Sequence, residues 1–365
     1  MKILIATNHS YMLYRFRREL VETLMQAHEV ILSMPFVGHE EEFQAMGLRC
    51  IRTDLDRRSI NPVKDLHLIG EYRKILREVK PDLVMTYSIK PNVYLGGLCK
   101  KQNIPYVTNV QGLGTAFEKP VLSTLVSRMY RSALRRARTV FFENQENAEF
   151  FREKKIVSPR QITVLPGAGI NLEEYPEVPM VEDSVCRFLF VGRIMKEKGV
   201  DEFFTAAKKL KAEMGEGVAF DVVGFYEDAY KDTVDRLTAE GVIKFHGFQT
   251  DVHPFYEAAD CVVLPSYHEG MSNVLLEGAA MGRALITSDI PGCREVVDDG
   301  VSGYLCPKQD TDALICAVRA FAEKSFEERK QMGYSGRKLV EGKFDKRIAV
   351  AQTLGGLGIA EAVRN

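Results

Sequence analysis

Cys261-Val262-Val263-Leu264-Pro265, then Ser266-Tyr267-His268-Glu269-Gly270-Met271-Ser272-Asn273, then Val274-Leu275-Leu276-Glu277 is the stretch that decides the fold. Four apolar residues closed by a proline read as a short buried strand. Leu275 to Met281 is rich in helix formers and closed by Gly282, which predicts a helix opening near Met271 or Ser272. Strand, loop and helix in this order form one step of a parallel α/β sheet, and such sheets bind ligands outside the carboxyl ends of their strands. A helix N-terminus there offers unpaired N–H groups and a positive dipole end, which suit a diphosphate. Glu269 precedes the helix, and Glu277 lies about two turns inside it. Alone, the two glutamates read as a capping acid and a solvated helical side chain. Their setting decides.

Working outward, the same alternation recurs. Behind the stretch lie strands Arg187–Val191, Ala219–Val223 and Ile243–Phe245, with helices Val200–Glu213, Tyr230–Glu240 and Val252–Ala258. Ahead lie strand Ala284–Thr287 and helices near Ala313–Lys324 and Phe326–Val340. The front half repeats the plan, with strands at Lys2–Ala6, Glu29–Met34, Leu48–Arg52, Leu83–Tyr87, Tyr106–Val110, Thr139–Phe142 and Ile162–Val164. Helices are predicted at Tyr14–Gln26, Asp65–Val79, up to Gln102, Val121–Arg138 and Asn144–Lys154. Strand–helix spacing of this kind implies parallel, doubly wound sheets. From Pro166 to Pro179, glycine and proline without periodicity mark a linker. The expected organisation is two Rossmann-like domains, 1–170 and 171–345, facing a cleft. A helical segment, 346–365, is expected to return toward the first domain.

Composition narrows the class. A length of 365 residues suits two domains, and 45% hydrophobic with 27% charged residues is the balance of an ordinary soluble protein. No apolar run approaches the roughly 20 residues that span a bilayer, and Met1–Ala6 is too short for a signal-peptide core. Seven scattered cysteines with no CxxC pair predict reduced core residues and neither disulfides nor a zinc site. Residues 1–170 hold 26 Lys+Arg against 17 Asp+Glu, and the remainder holds 23 against 33. A basic front half on a neutral chain points to an anionic partner for that half.

The second half carries the densest chemistry. Gly192-Arg193 and Lys198-Gly199 follow a strand, combining a turn, a planar fork for phosphate oxygens and a point charge. Gly224-Phe225 and Gly247-Phe248 follow two others, each setting an aromatic at a strand end where a base could lie. No GxGxxG is present, which argues against a dinucleotide-binding turn. With Asp251-Val252, Glu269…Glu277, Pro291-Gly292-Cys293-Arg294-Glu295 and Asp299-Gly300…Gly303-Tyr304-Leu305, these segments resemble the donor domain of retaining glycosyltransferases of family 4, which have the GT-B fold. The two glutamates match that family's E-x7-E motif. Tyr14-Arg15-Phe16-Arg17, Arg58-Ser59-Ile60-Asn61-Pro62, Lys90-Pro91-Asn92 and Gly112-Leu113-Gly114 resemble its capsule and glycan-assembly subgroup. That subgroup includes bacterial enzymes that add N-acetylgalactosamine to undecaprenyl-diphosphate-linked sugars.

The resemblance implies a UDP-sugar donor and a lipid-linked glycan acceptor, with no metal or other cofactor and no nucleic acid. By the same resemblance Arg193 and Lys198 hold the donor diphosphate, Glu277 accepts the ribose hydroxyls and Glu269 faces the sugar. Gly192, Gly224, Phe248, Gly270, Met271, Ser272 and Asn273 line the donor site. Two departures stand out. The first loop is Asn8-His9-Ser10-Tyr11 where many members carry a glycine pair, and Gln111 stands where many have a histidine, so a positioning role falls to it. Arg15, Arg17 and Arg58 are expected to meet the acceptor diphosphate. Arg128, Arg131 and Arg135, spaced 3 and 4, share one face of an amphipathic helix suited to anionic lipid. The expected location is cytoplasmic, at the inner face of the plasma membrane. Two alternatives share these features, a sugar-nucleotide epimerase and a catalytically silent sugar-nucleotide-binding subunit.

Overall fold

Strands that are apolar along their whole length bury both faces, and in this chain each face finds its own helices. In the computed structural model, β1 (Lys2–Ala6), β2 (Glu29–Met34), β3 (Arg49–Arg52), β4 (Leu83–Tyr87), β5 (Tyr106–Val110), β6 (Val140–Phe142) and β7 (Ile162–Val164) form one parallel sheet. Its order is β3-β2-β1-β4-β5-β6-β7, so the winding reverses between β1 and β4. The structure describes residues 1–55, 61–112, 117 and 120–359. Helices of this half are α1 (Ser10–Met25), α2 (Glu40–Ala45), α3 (Pro62–Val79), α4 (Gly96–Gln102), α5 (Pro120–Leu134) and α6 (Gln145–Glu153). The two-residue alternation of side chains sorts the core. Ile3, Ile5, Leu32 and Met85 join Leu13, Leu20 and Phe43 of α1 and α2, whereas Leu4, Ala6 and Val84 join Leu68, Leu98 and Tyr130 of α3, α4 and α5.

The second sheet contains β8 (Cys186–Val191), β9 (Val218–Val223), β10 (Lys244–Phe245), β11 (Cys261–Leu264), β12 (Ala284–Ser288) and β13 (Gly303–Cys306). It is also parallel, in the order β10-β9-β8-β11-β12-β13, and reverses between β8 and β11. Its helices are α7 (Val200–Met214), α8 (Lys231–Ala239), α9 (His253–Ala258), α10 (Asn273–Ala280), α11 (Thr311–Ala322) and α12 (Phe326–Lys343), whereas α13 (Lys346–Leu357) packs Val350, Leu354 and Leu357 against the core of the first sheet. The chain divides into one unit of Met1–Ala168 with the chain from Ile348 onward, and a second of Gly169–Arg347. Within the first unit, Thr139 Oγ1 donates to the Gly356 carbonyl at 2.6 Å and Arg138 donates to that of Leu357 at 2.7 Å, while Leu357 is wholly buried.

Several elements differ from the sequence reading. α1 begins at Ser10 and not Tyr14, and α3 begins at Pro62 because the Asn61 side chain accepts from the Val63 and Lys64 amides. Between β4 and α4 the chain takes a π-helical turn, Pro91–Leu95. α2 and β13 were not anticipated at all. Among the described residues no helix is long and apolar enough to cross a membrane, and all seven cysteines are free thiols.

Candidate active site

The second unit gathers its charged loops where its sheet reverses. β8 and β11 are neighbours, so the loops leaving their carboxyl ends lie side by side. The β8 loop closes with Gly199 in the left-handed region, φ 70°. A Cβ there would sit 2.0 Å from the Pro265 carbonyl oxygen, so only glycine lets the two loops approach so closely. The Tyr267 amide donates to the Glu197 carbonyl at 2.8 Å, which ties them together. Lys198 Nζ then meets Glu269 Oε1 at 2.5 Å, and Ser266 Oγ donates to the same oxygen at 2.8 Å. Both charged side chains are mostly covered, at 18% and 12% exposure.

Arg193 leaves the same strand end through Gly192, in a turn held by the Gly192 amide on the Val223 carbonyl. Its guanidinium lies 3.8 Å from Glu227 and is 39% exposed, a loose pairing that leaves it available to an anion. On the neighbouring β9 loop, a Cβ on Gly224 would fall 1.7 Å from the Gly192 carbonyl oxygen, so again the loops touch through backbone. Phe225 and Phe248, at the ends of β9 and β10, are exposed and pack edge to face with centroids 6.0 Å apart. His246 faces Asp221 at 2.6 Å and is accounted for as a paired side chain.

Helix α10 supplies the other wall. Ser272 is its N-cap, accepting from the Leu275 amide at 3.4 Å, and its own amide donates to the Gly292 carbonyl at 2.8 Å. The helix therefore starts at Asn273, with Gly270 and Met271 in the loop before it. Glu277 lies inside the helix and is buried, with one carboxylate oxygen 2.9 Å from the Tyr256 hydroxyl. Tyr256 did not emerge from the sequence, where an aromatic in an amphipathic helix reads as core. Two cations, two carboxylates and a helix N-terminus at one sheet reversal can hold a diphosphate, offset charge developing on it and accept hydroxyl donors.

The first unit brings a different set together. Arg17 was expected to offer its charge to an acceptor, but it is 3% exposed and its guanidinium bonds Glu143 at 2.7 Å and the Gly167 carbonyl at 3.2 Å. Its length carries it across the carboxyl ends of β6 and β7, where an internal carboxylate takes it. Glu143, which the sequence reading passed over, also accepts from the Gln111 side chain. Burial pushes its carboxyl above the ordinary range, with Arg17 and Gln111 acting against that. Lys90 and Tyr94 both bond Asp65, at 2.8 Å each, so the Lys90-Pro91-Asn92 segment is engaged internally.

Arg15 on α1 is partly exposed. On α5, Arg128 and Arg131 are exposed beside Leu125, on the face away from Val126, Tyr130 and Leu134; the helix ends at Leu134, short of the predicted Arg138, so Arg135 is exposed just beyond its end. Arg131 reaches the Lys154 and Lys155 carbonyls at 2.5 and 3.0 Å, closing the end of α6, so it is less available than the other two. Arg58, Leu113 and Gly114 lie outside the described residues.

Two family profiles match the chain, "Glycosyl transferase 4-like" over residues 2–144 and "Glycosyl transferases group 1" over residues 174–339. A relative from Campylobacter jejuni, N,N'-diacetylbacillosaminyl-diphospho-undecaprenol alpha-1,3-N-acetylgalactosaminyltransferase, is 26% identical over 80% of this chain and 81% of its own. The Escherichia coli UDP-Gal:alpha-D-GlcNAc-diphosphoundecaprenol alpha-1,3-galactosyltransferase is 26% identical over 72% and 71%. Among solved structures, Anabaena HepE in complex with UDP and glucose superimposes with a TM-score of 0.80 at 17% identity, over 98% of this chain and 99% of that one. The two parallel sheets and these matches define a GT-B fold. The chain is a glycosyltransferase, with its 4-like segment in the first unit and its group 1 segment in the second.

Proposed function

We propose that this enzyme moves a hexosyl or N-acetylhexosaminyl group, N-acetylgalactosamine in the first instance, from a UDP-sugar to a saccharide carried on a polyprenyl diphosphate, with retention at the anomeric carbon. The observation that carries this reading is the Lys198–Glu269 ion pair between the loops leaving β8 and β11 at the second sheet's reversal, with Arg193 on the same β8 loop and Glu277 on α10, the helix that follows the β11 loop. In the reaction the bond from the anomeric carbon to the β-phosphate oxygen breaks, and negative charge grows on the departing UDP. Arg193 and Lys198 meet that charge without reorganising solvent, and the amides at the start of α10 add to it. The acceptor hydroxyl attacks from the face the phosphate leaves, and the phosphate takes its proton, so Gln111 has only to position. These fixed cations do the work a divalent ion would otherwise do, and turnover is expected to persist in EDTA.

The names of the Campylobacter and Escherichia relatives support the lipid-linked acceptor, and the former supports N-acetylgalactosamine. The basic first 170 residues, with Arg128 and Arg135 exposed and Arg15 partly so, suit an acceptor diphosphate and an anionic membrane surface at the inner face. The test is incubation of purified enzyme with UDP-N-acetylgalactosamine and a synthetic polyprenyl-diphosphate saccharide, reading UDP release and the product's anomeric configuration. An α-linked product, lost in Arg193→Ala and Glu277→Ala, is expected. A β-linked product would overturn retention, and no UDP release with any UDP-sugar would overturn the function.

A further inference from the structure

We propose that Tyr256 is a positioning residue for the donor nucleotide, its hydroxyl fixing the Glu277 carboxylate in the orientation that receives the ribose diol. The inference rests on the reading of Glu277 as the ribose acceptor. Tyr256 is wholly buried, and its hydroxyl has two oxygens in reach, Glu277 Oε2 at 2.9 Å and the Val274 carbonyl at 3.3 Å. A phenol has one proton to give, and the shorter, charged acceptor takes it. Glu277 is itself buried, and a covered carboxylate is held in place by whatever donors it finds. One oxygen fixed by a rigid phenol sets the plane of the carboxylate, and with it the direction in which the second oxygen faces.

The phenol is in turn immobile. α9, which carries it, is anchored one turn earlier by His253, whose ring stacks on Tyr175 with centroids 4.5 Å apart. Its Nδ1 faces Asp251 Oδ1 at 2.7 Å and its Nε2 faces the Glu174 carbonyl at 2.9 Å. A vicinal diol is a pair of O–H donors whose spacing is fixed by the sugar ring, so it is read best by an acceptor that does not rotate. Tyr256 supplies that constraint from behind the site without touching the nucleotide.

The decisive experiment compares UDP with 2′-deoxy-UDP by calorimetric titration of the wild type, Tyr256→Phe and Glu277→Gln, alongside melting curves and donor kinetics. The wild type is expected to prefer UDP. In Tyr256→Phe, UDP affinity falls roughly tenfold, the scale of one hydrogen bond to a charged group, and 2′-deoxy-UDP, which keeps only the 3′-hydroxyl, loses less, so the preference shrinks. KM for the UDP-sugar rises while kcat stays within about twofold, the pattern of lost uniform binding. Should Tyr256→Phe melt too early to titrate, the same comparison is made well below its melting temperature, where discrimination equal to the wild type's still overturns the role of Tyr256. Wild-type discrimination retained in Tyr256→Phe but abolished in Glu277→Gln overturns the role of Tyr256 alone. No discrimination in the wild type, or full discrimination in Glu277→Gln, overturns the reading of Glu277 and the inference with it.

Discussion

Lys198 and Glu269 are 71 positions apart and meet at 2.5 Å, with Ser266 on the same carboxylate oxygen. Both were legible as charged residues in loops after strands, but their contact depends on β8 lying beside β11, which no local pattern states. Lys198→Ala is expected to lower kcat/KM by a factor of about 10²–10³, the loss typical of a preorganised charge-stabilising group. Steady-state kinetics with UDP-sugar check this, with circular dichroism unchanged. Tyr256 and Glu143 were not legible, because a buried tyrosine and a glutamate at a strand end look like ordinary core and surface until their partners are known. Glu143 has a consequence for pH. Burial raises its pKa above the ordinary value, so the folded chain holds its proton more tightly than the unfolded chain does. Its contribution to stability is therefore full below the unfolded pKa and is lost as pH rises through the folded one. Melting temperatures across that window are expected to fall in the wild type and to flatten in an Arg17→Met, Glu143→Gln double variant.

Elements were legible where apolar pattern and length agreed. β1, β2, β4, β5, β7 and β11 were placed residue for residue because each is a short apolar run bounded by polar or turn residues. β13 was missed because a four-residue strand that opens on Gly303 and holds two half-buried residues lacks that run. α3 starts three residues before the expected Asp65 because Asn61-Pro62 sets a side-chain cap followed by proline at the first helical position. α10 carries Glu277, and its cap is testable. Ser272→Ala removes the bond to the Leu275 amide and is expected to cost about 1 kcal/mol in a denaturant titration. α5 presents Arg128 on an exposed face with Leu125, and Arg135 is exposed just past the helix end. Charge reversal of both arginines is expected to weaken sedimentation with anionic vesicles by about 1 kcal/mol per residue, and added salt to weaken the wild type similarly.

The doubly wound plan of both sheets was legible because strands buried on both faces read as continuous apolar runs, whereas order within a sheet was not. The acidic second half and basic first half follow the division of labour proposed for donor and acceptor. The proposed donor is itself an anion, however, so an acidic half that binds it has to place its cations well. It does so at one sheet reversal, with Arg193 and Lys198 leaving the same strand. The claim that this reversal is a nucleotide-sugar site is tested most directly by titrating UDP into the wild type and into Arg193→Ala and Glu277→Ala. Saturable one-to-one binding in the wild type, weakened at least tenfold in each variant with melting behaviour intact, is the predicted result. Binding of equal strength in all three, or none in the wild type, would contradict it.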